Sequence, residues 1–135
     1  MNYWLVKSEP TVYAWDQFQK EGNTVWSGVR NYAARIHLNG MKKGDLVMFY
    51  HSNVGLEVVG IAKVSREAFQ DPTTDDVRWV AVEIKPFKKL KKPVSLKVIK
   101  EEKRLKEIAL VRIGRLSVMP LTPSEYETLL EISNS

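Results

Sequence analysis

Few residues in this chain could do covalent chemistry. The only histidines are His37 and His51, and there is no cysteine. That removes thiolate nucleophiles, disulfides and cysteine-type zinc sites together. His37 falls in a helix-like segment with no acid or nucleophile near it in sequence. His51 ends a strand-like run beside Ser52, but neighbours on a strand point to opposite faces, so adjacency does not make a nucleophile and its base. An enzyme built on His51 and Ser52, with Asp71 as a third group, therefore ranks last among the readings. No histidine spacing suits a metal. Gly28, Gly40, Gly44, Gly55 and Gly60 fit neither a dinucleotide fingerprint nor a phosphate loop. Neither a metal nor a cofactor is expected. The carboxylate pairs Asp75-Asp76 and Glu101-Glu102 read as solvated turn and helix surface.

Residues suited to recognition are better represented. The run from Trp26 through Ser27, Gly28, Val29, Arg30, Asn31, Tyr32, Ala33 and Ala34 to Arg35 mixes two aromatics with a glycine and an arginine-asparagine pair. Aromatic faces stack on bases, asparagine and backbone groups read base edges, and arginine holds phosphate. The same residues also fit a core tryptophan, a helix cap and a polar surface. Three polar clusters close apolar runs: Lys7-Ser8-Glu9-Pro10, Tyr50-His51-Ser52-Asn53 and Arg115-Leu116-Ser117. Strand ends of this kind form the mouths of ligand sites, or else they are ordinary turn chemistry.

The elements that must position these groups are short. Tyr3 to Lys7, Leu46 to His51, Glu57 to Val64, Arg78 to Phe87 and Arg115 to Met119 read as strands, with Gly60 marking a bulge or a close backbone approach. Ala14 to Lys20 and Arg30 to Leu38 read as helices. Ser95 caps a third helix carrying Leu96 and Ile99, and Leu105, Ile108 and Ala109 suggest a further turn. Thr122, Pro123 and Glu125 form a capping box ahead of Tyr126, Leu129 and Leu130. About five strands that do not alternate with long helices argue against a doubly wound sheet. They fit an α+β fold: a small, curved mixed sheet or open barrel with helices packed around it.

The chain has 135 residues, 44% of them hydrophobic, which suits one domain over residues 1–135 with its own core. No apolar run approaches a membrane span and no signal peptide is legible. A soluble cytoplasmic monomer is expected, nuclear if the source is eukaryotic. The net charge is +5. Lys85 to Lys106 holds ten lysines and arginines against Glu101 and Glu102, so this segment carries all of the excess positive charge. It reads as a phosphate footprint or as a solvated lysine face.

These residues also carry a resemblance. Tyr3 to Pro10, Trp26 to Tyr32, Lys43-Gly44-Asp45-Leu46, Phe49 to Asn53, Asp71-Pro72-Thr73 and Gly114 to Val118 resemble, in order along the whole chain, the motifs of the EVE domain family. The resemblance implies a PUA-like fold of five to six strands, related to YTH and ASCH domains. It also implies non-catalytic binding of DNA or RNA through a modified base such as methylated or hydroxymethylated cytosine. In that picture Trp26 walls the pocket, with Gly28, Val29, Asn31 and Tyr32 beside it. Ser8, His51 and Ser52 come from strand ends, Leu116 and Ser117 from the last strand, and Asp71 accepts from a base amino group. Arg30, Arg35 and Arg115 suit phosphates or ion pairs, and Lys88, Lys89, Lys91 and Lys92 extend that footprint. Family members usually carry glutamine at the position of Ala33, and many have a longer loop than Asp71 to Trp79. The alternative reading is a binder of a free nucleoside or anionic metabolite.

Overall fold

In the computed structural model, which describes residues 1–135, a six-stranded sheet has the order β2-β5-β4-β3-β1-β6 and is not closed. Tyr3–Ser8 forms β1, between β3 and β6, with Trp4, Leu5 and Val6 buried. Trp15–Glu21 forms α1, Thr24–Trp26 forms β2, and Tyr32–Gly40 forms α2. Leu46–His51 is β3, as its run of apolar residues requires. β1 and β3 lie parallel. A parallel pair needs a long crossover, and here the crossover carries α1, β2 and α2. The segment richest in recognition residues is therefore this crossover, laid across the ends of β1 and β3.

Glu57–Gln70 is β4 and Val80–Ser95 is β5, an antiparallel pair. Both run past the expected Val64 and Phe87. Arg66, Glu67 and Lys88 are exposed there, so the apolar alternation fades while backbone pairing continues. β5 contains Pro86 and Pro93. β2 covers only Val82 to Ile84 of β5, which leaves the rest of that side as an edge, where proline is tolerated. Leu96–Glu101 is α3, capped by Ser95 as expected, and Ala109–Arg112 is α4. The last strand, β6, is Val118–Leu121 rather than Arg115 to Met119, and Pro120 lies within it at the sheet edge. Pro123–Asn134 is α5, with the capping box at Thr122 and Glu125 in place. No helix is long and apolar enough to cross a membrane.

Gly60 does both things its position suggested. The register of β4 against β3 and β5 shifts at Gly60, leaving Val59 unpaired. A Cβ on Gly60 would also lie 2.5 Å from the ring of Trp15, which is buried. That ring packs edge-on against Phe18 and Phe49, each at 5.4 Å between centroids. It has no room to yield. Gly60→Ala is expected to destabilise the fold by about 1–3 kcal/mol through overpacking, read as a lower urea midpoint at unchanged slope.

Candidate functional site

Two adjoining cavities open where β1, β2 and the start of the crossover helix meet. The larger has a volume of about 580 Å³ and the smaller about 230 Å³, and Ser8, Trp26 and Ser27 belong to both. Gly28, Val29, Arg30, Asn31 and Ser117 complete much of the larger wall. Tyr13, Thr24 and Val25 close the smaller. The volume of the larger falls in the range of small-ligand sites.

Trp26 is a strand residue, which the sequence did not reveal because β2 is only three residues long. Its ring meets Phe49 edge-on at 5.6 Å and Tyr13 at 6.2 Å. These contacts fix the ring as a wall rather than a free flap. Tyr13 donates to Glu21 at 2.7 Å, and burial together with that carboxylate pushes its phenol up to about 12, so it stays protonated. The hydroxyl of Ser8 donates to the carbonyl of Tyr13 at 2.5 Å, which ties the end of β1 to the same wall.

The turn after Trp26 is held from beneath by Asp71. Gly28 has φ near 80°, a conformation glycine adopts without strain, and its N–H donates to Asp71 Oδ2 at 2.7 Å. Arg30 donates to the same oxygen at 3.0 Å. The other oxygen accepts from the backbone N–H and hydroxyl of Thr73. Asp71 is fully buried. Burial alone would raise its pKa, but the donors from Thr73, Gly28 and Arg30 outweigh it and hold the carboxyl well below the usual range. Both oxygens are occupied, so Asp71 braces the pocket wall rather than meeting a base. Arg30 lies over Trp79 at 5.5 Å and also donates to Thr73. Its first duty is structural, though it lines the cavity. Asn31 caps α2 by accepting from Ala34 N–H at 3.0 Å, so α2 begins two residues later than expected.

The remaining expected residues divide. Tyr32 sits outside, 55% exposed, tilted against Trp79 at 5.2 Å and accepting from Arg78. Arg35 lies over Tyr32 and donates to the carbonyl of Arg78. Leu116 is buried and lines none of the three cavities. Ser52 and Arg115 line a third cavity of about 490 Å³ next to the larger one. Lys88, Lys89, Lys91 and Lys92 line none of these three cavities, and Lys92 reaches the carbonyl of Ser135. Lys7 and Glu9, read from the sequence only as part of the polar cluster that closes β1 and not as pocket residues, line both larger cavities. The signal was present, since both belong to the polar cluster that ends β1. Lys7 donates to the carbonyl of Gly114 at 2.7 Å, and burial lowers its pKa.

His51 also has a structural task. Its Nε2 accepts from the backbone N–H of Trp15 at 3.1 Å and so caps α1, where Ala14 offers no side-chain cap. The proton of the neutral ring then sits on Nδ1, and Nε2 is not free to act as a base toward Ser52. Burial pushes His51 below its ordinary 6.5, partly offset by Glu57 and Asp16. Burial lowers His37 as well. A group whose folded pKa is depressed favours protonation in the unfolded chain, so stability is retained above about 6.5 and lost as pH falls below it. The urea midpoint is expected to drop between pH 7.5 and 5.5. In His51→Gln, which keeps an acceptor without a titration, the drop should shrink. An equal drop in both proteins would rule out His51 as a source.

Comparison with known proteins gives the family and the fold. The EVE domain model matches residues 2–132. Rat thymocyte nuclear protein 1 is 32% identical over 99% of this chain and 74% of its own length. Rpa0253 from Rhodopseudomonas palustris superposes with a TM-score of 0.95 at 46% identity, covering 99% of this chain and 94% of its own. The human THYN1 protein, solved in complex with DNA containing 5-methylcytosine, superposes with a TM-score of 0.94 at 27% identity, covering 100% of this chain and 99% of its own. A YTH domain from Zygosaccharomyces rouxii shares the fold, at a TM-score of 0.61 and 16% identity over 98% of this chain and 86% of its own.

Proposed function

This chain belongs to the EVE domain family, and we propose that it binds nucleic acid by holding one modified base in the cavity walled by Trp26, without chemical change to the base. The observation that carries this reading is the joint position of an immobilised tryptophan, a strand-end serine and the Gly28 turn around one cavity. The complex of the human THYN1 protein with 5-methylcytosine DNA supports a modified cytosine as the class of base.

The energetics suit such a reader. Extruding a base from a stack costs a few kcal/mol, and an aromatic wall returns about 1–3 kcal/mol. A buried methyl group adds only about 0.8 kcal/mol. Methyl burial alone therefore separates modified from plain cytosine by less than about tenfold. A larger ratio requires a hydrogen bond to a polar modification or exclusion of the wrong base.

The test is a fluorescence titration that follows the tryptophans with matched strands. The strands carry plain, 5-methyl or 5-hydroxymethyl cytosine, in DNA and in RNA, at two salt concentrations. One modified strand should bind tighter than its plain counterpart, with a ratio that survives added salt. Equal binding of all strands that disappears with salt would leave only a non-specific charge footprint and would overturn the reading.

A further inference from the structure

The third cavity, of about 490 Å³, shares Lys7, Glu9 and Ser117 with the cavity walled by Trp26. Its composition is amphipathic in a specific way. Lys7, Lys100 and Arg115 bring three cations to its wall, and none of them is ion-paired. Glu9 is the one carboxylate there. The same wall holds Tyr50, Leu56 and Val111. Leu56 is 41% exposed and Val111 37%. Leu56 is also held at a φ of 45°, in the left-handed region that costs an ordinary residue roughly 1–2 kcal/mol. The chain thus keeps an apolar side chain at this mouth in a strained conformation, beside three cations that outnumber the one carboxylate and form no ion pair with it.

A ligand that suits both features has an anionic group next to a partly apolar ring and sugar. We infer that this cavity takes the nucleotide adjoining the held base. Its phosphodiester lies against Lys7, Lys100 and Arg115, and its sugar and ring lie against Tyr50, Leu56 and Val111. Lys7, on the rim shared by the two cavities, stands where the linking phosphate passes from one to the other. The inference rests on the proposed base cavity and adds a second subsite to it. The minimal ligand is then a connected strand rather than a free nucleoside.

Isothermal titration with two probes tests this. One is the nucleoside 5-methylcytidine. The other is a trinucleotide with 5-methylcytosine at its centre and a plain-cytosine counterpart, each in deoxy and ribo forms to separate DNA from RNA. The proteins are wild type, Lys100→Gln with Leu56→Ser, and Lys88→Gln as a charge-matched control outside the cavities. Wild type should bind the central trinucleotide at least about tenfold tighter than the nucleoside, since one decade needs only 1.4 kcal/mol of flanking contacts. The first variant should lose roughly tenfold on modified and plain trinucleotides alike, with the ratio between them kept. The control should stay within about twofold near 0.15 M salt, where distant charges are screened. Wild-type trinucleotide affinity in the first variant, with the modified-to-plain ratio intact, would overturn the subsite alone, and so would an equal loss in the control. No modified-to-plain preference in wild type would overturn the base cavity and this subsite with it.

Discussion

Trp26→Ala is expected to lower affinity for the modified strand by about 1–3 kcal/mol, or roughly five- to hundredfold, the value of one stacked base. It should also bring the modified-to-plain ratio close to one. The reasoning is that Trp26 supplies the aromatic face of the cavity, while binding of a plain strand draws more on its phosphates. Trp26 also packs against Phe49 and Tyr13, so the variant loses some stability and must be titrated well below its unfolding temperature. Trp26→Phe separates the two effects, because it retains an aromatic face and part of that packing. It should keep most of the preference. Equal losses on modified and plain strands in Trp26→Ala would mean that the ring holds the fold and does not read the base.

Asp71→Asn should have the largest effect on stability. The carboxylate accepts four hydrogen bonds from Gly28, Arg30 and Thr73 in a fully buried position. An amide of the same shape turns an acceptor into a donor that faces these N–H groups, and it leaves Arg30 without its counter-charge. Breaking such a pair costs several kcal/mol when both partners are buried. Here the side chain of Arg30 is 40% exposed and water partly replaces the lost partner, so about 2–4 kcal/mol is expected. Thermal unfolding should move down by roughly 10 °C. Because Asp71 sets the turn at Gly28, the variant should also bind modified strands more weakly while still folded. An unchanged melting temperature would show that the turn does not depend on this carboxylate.

The elements that carry their own local signal were legible in the sequence. β3 matches its apolar run residue for residue, and the Thr122 capping box and the Ser95 cap form as written. Gly60 was identified as a bulge or close approach, and the ring of Trp15 shows the approach. What could not be read depends on distant partners. β2 is a strand only because Val82 to Ile84 lie beside it. The far half of β4 is paired largely outside the core, and in the far half of β5 only Leu90 and Val94 are buried, four residues apart, so no period-two alternation betrays either.

The site divides in the same way. The Trp26 to Asn31 segment and Ser8 do come together. Asp71 and His51 were expected in the base pocket, but they line none of the three cavities, and their partners, Gly28 and Arg30 in one case and Trp15 in the other, are far away in sequence and turn both into braces. Lysines of the basic run were grouped by charge alone. The fold separates them, leaving Lys88 and Lys89 on the outer part of β5 and carrying Lys100 on α3 to a cavity wall.

The most direct test of the central claim is a map of the bound surface by amide and indole chemical-shift perturbation in solution. The titrant is a single strand carrying one 5-methylcytosine. The account predicts the largest shifts at the indole of Trp26 and at the amides of Ser8, Ser27, Gly28 and Asn31, with smaller ones at Ser117. Shifts confined to Lys85–Lys92, with the Trp26 indole unmoved, would contradict it.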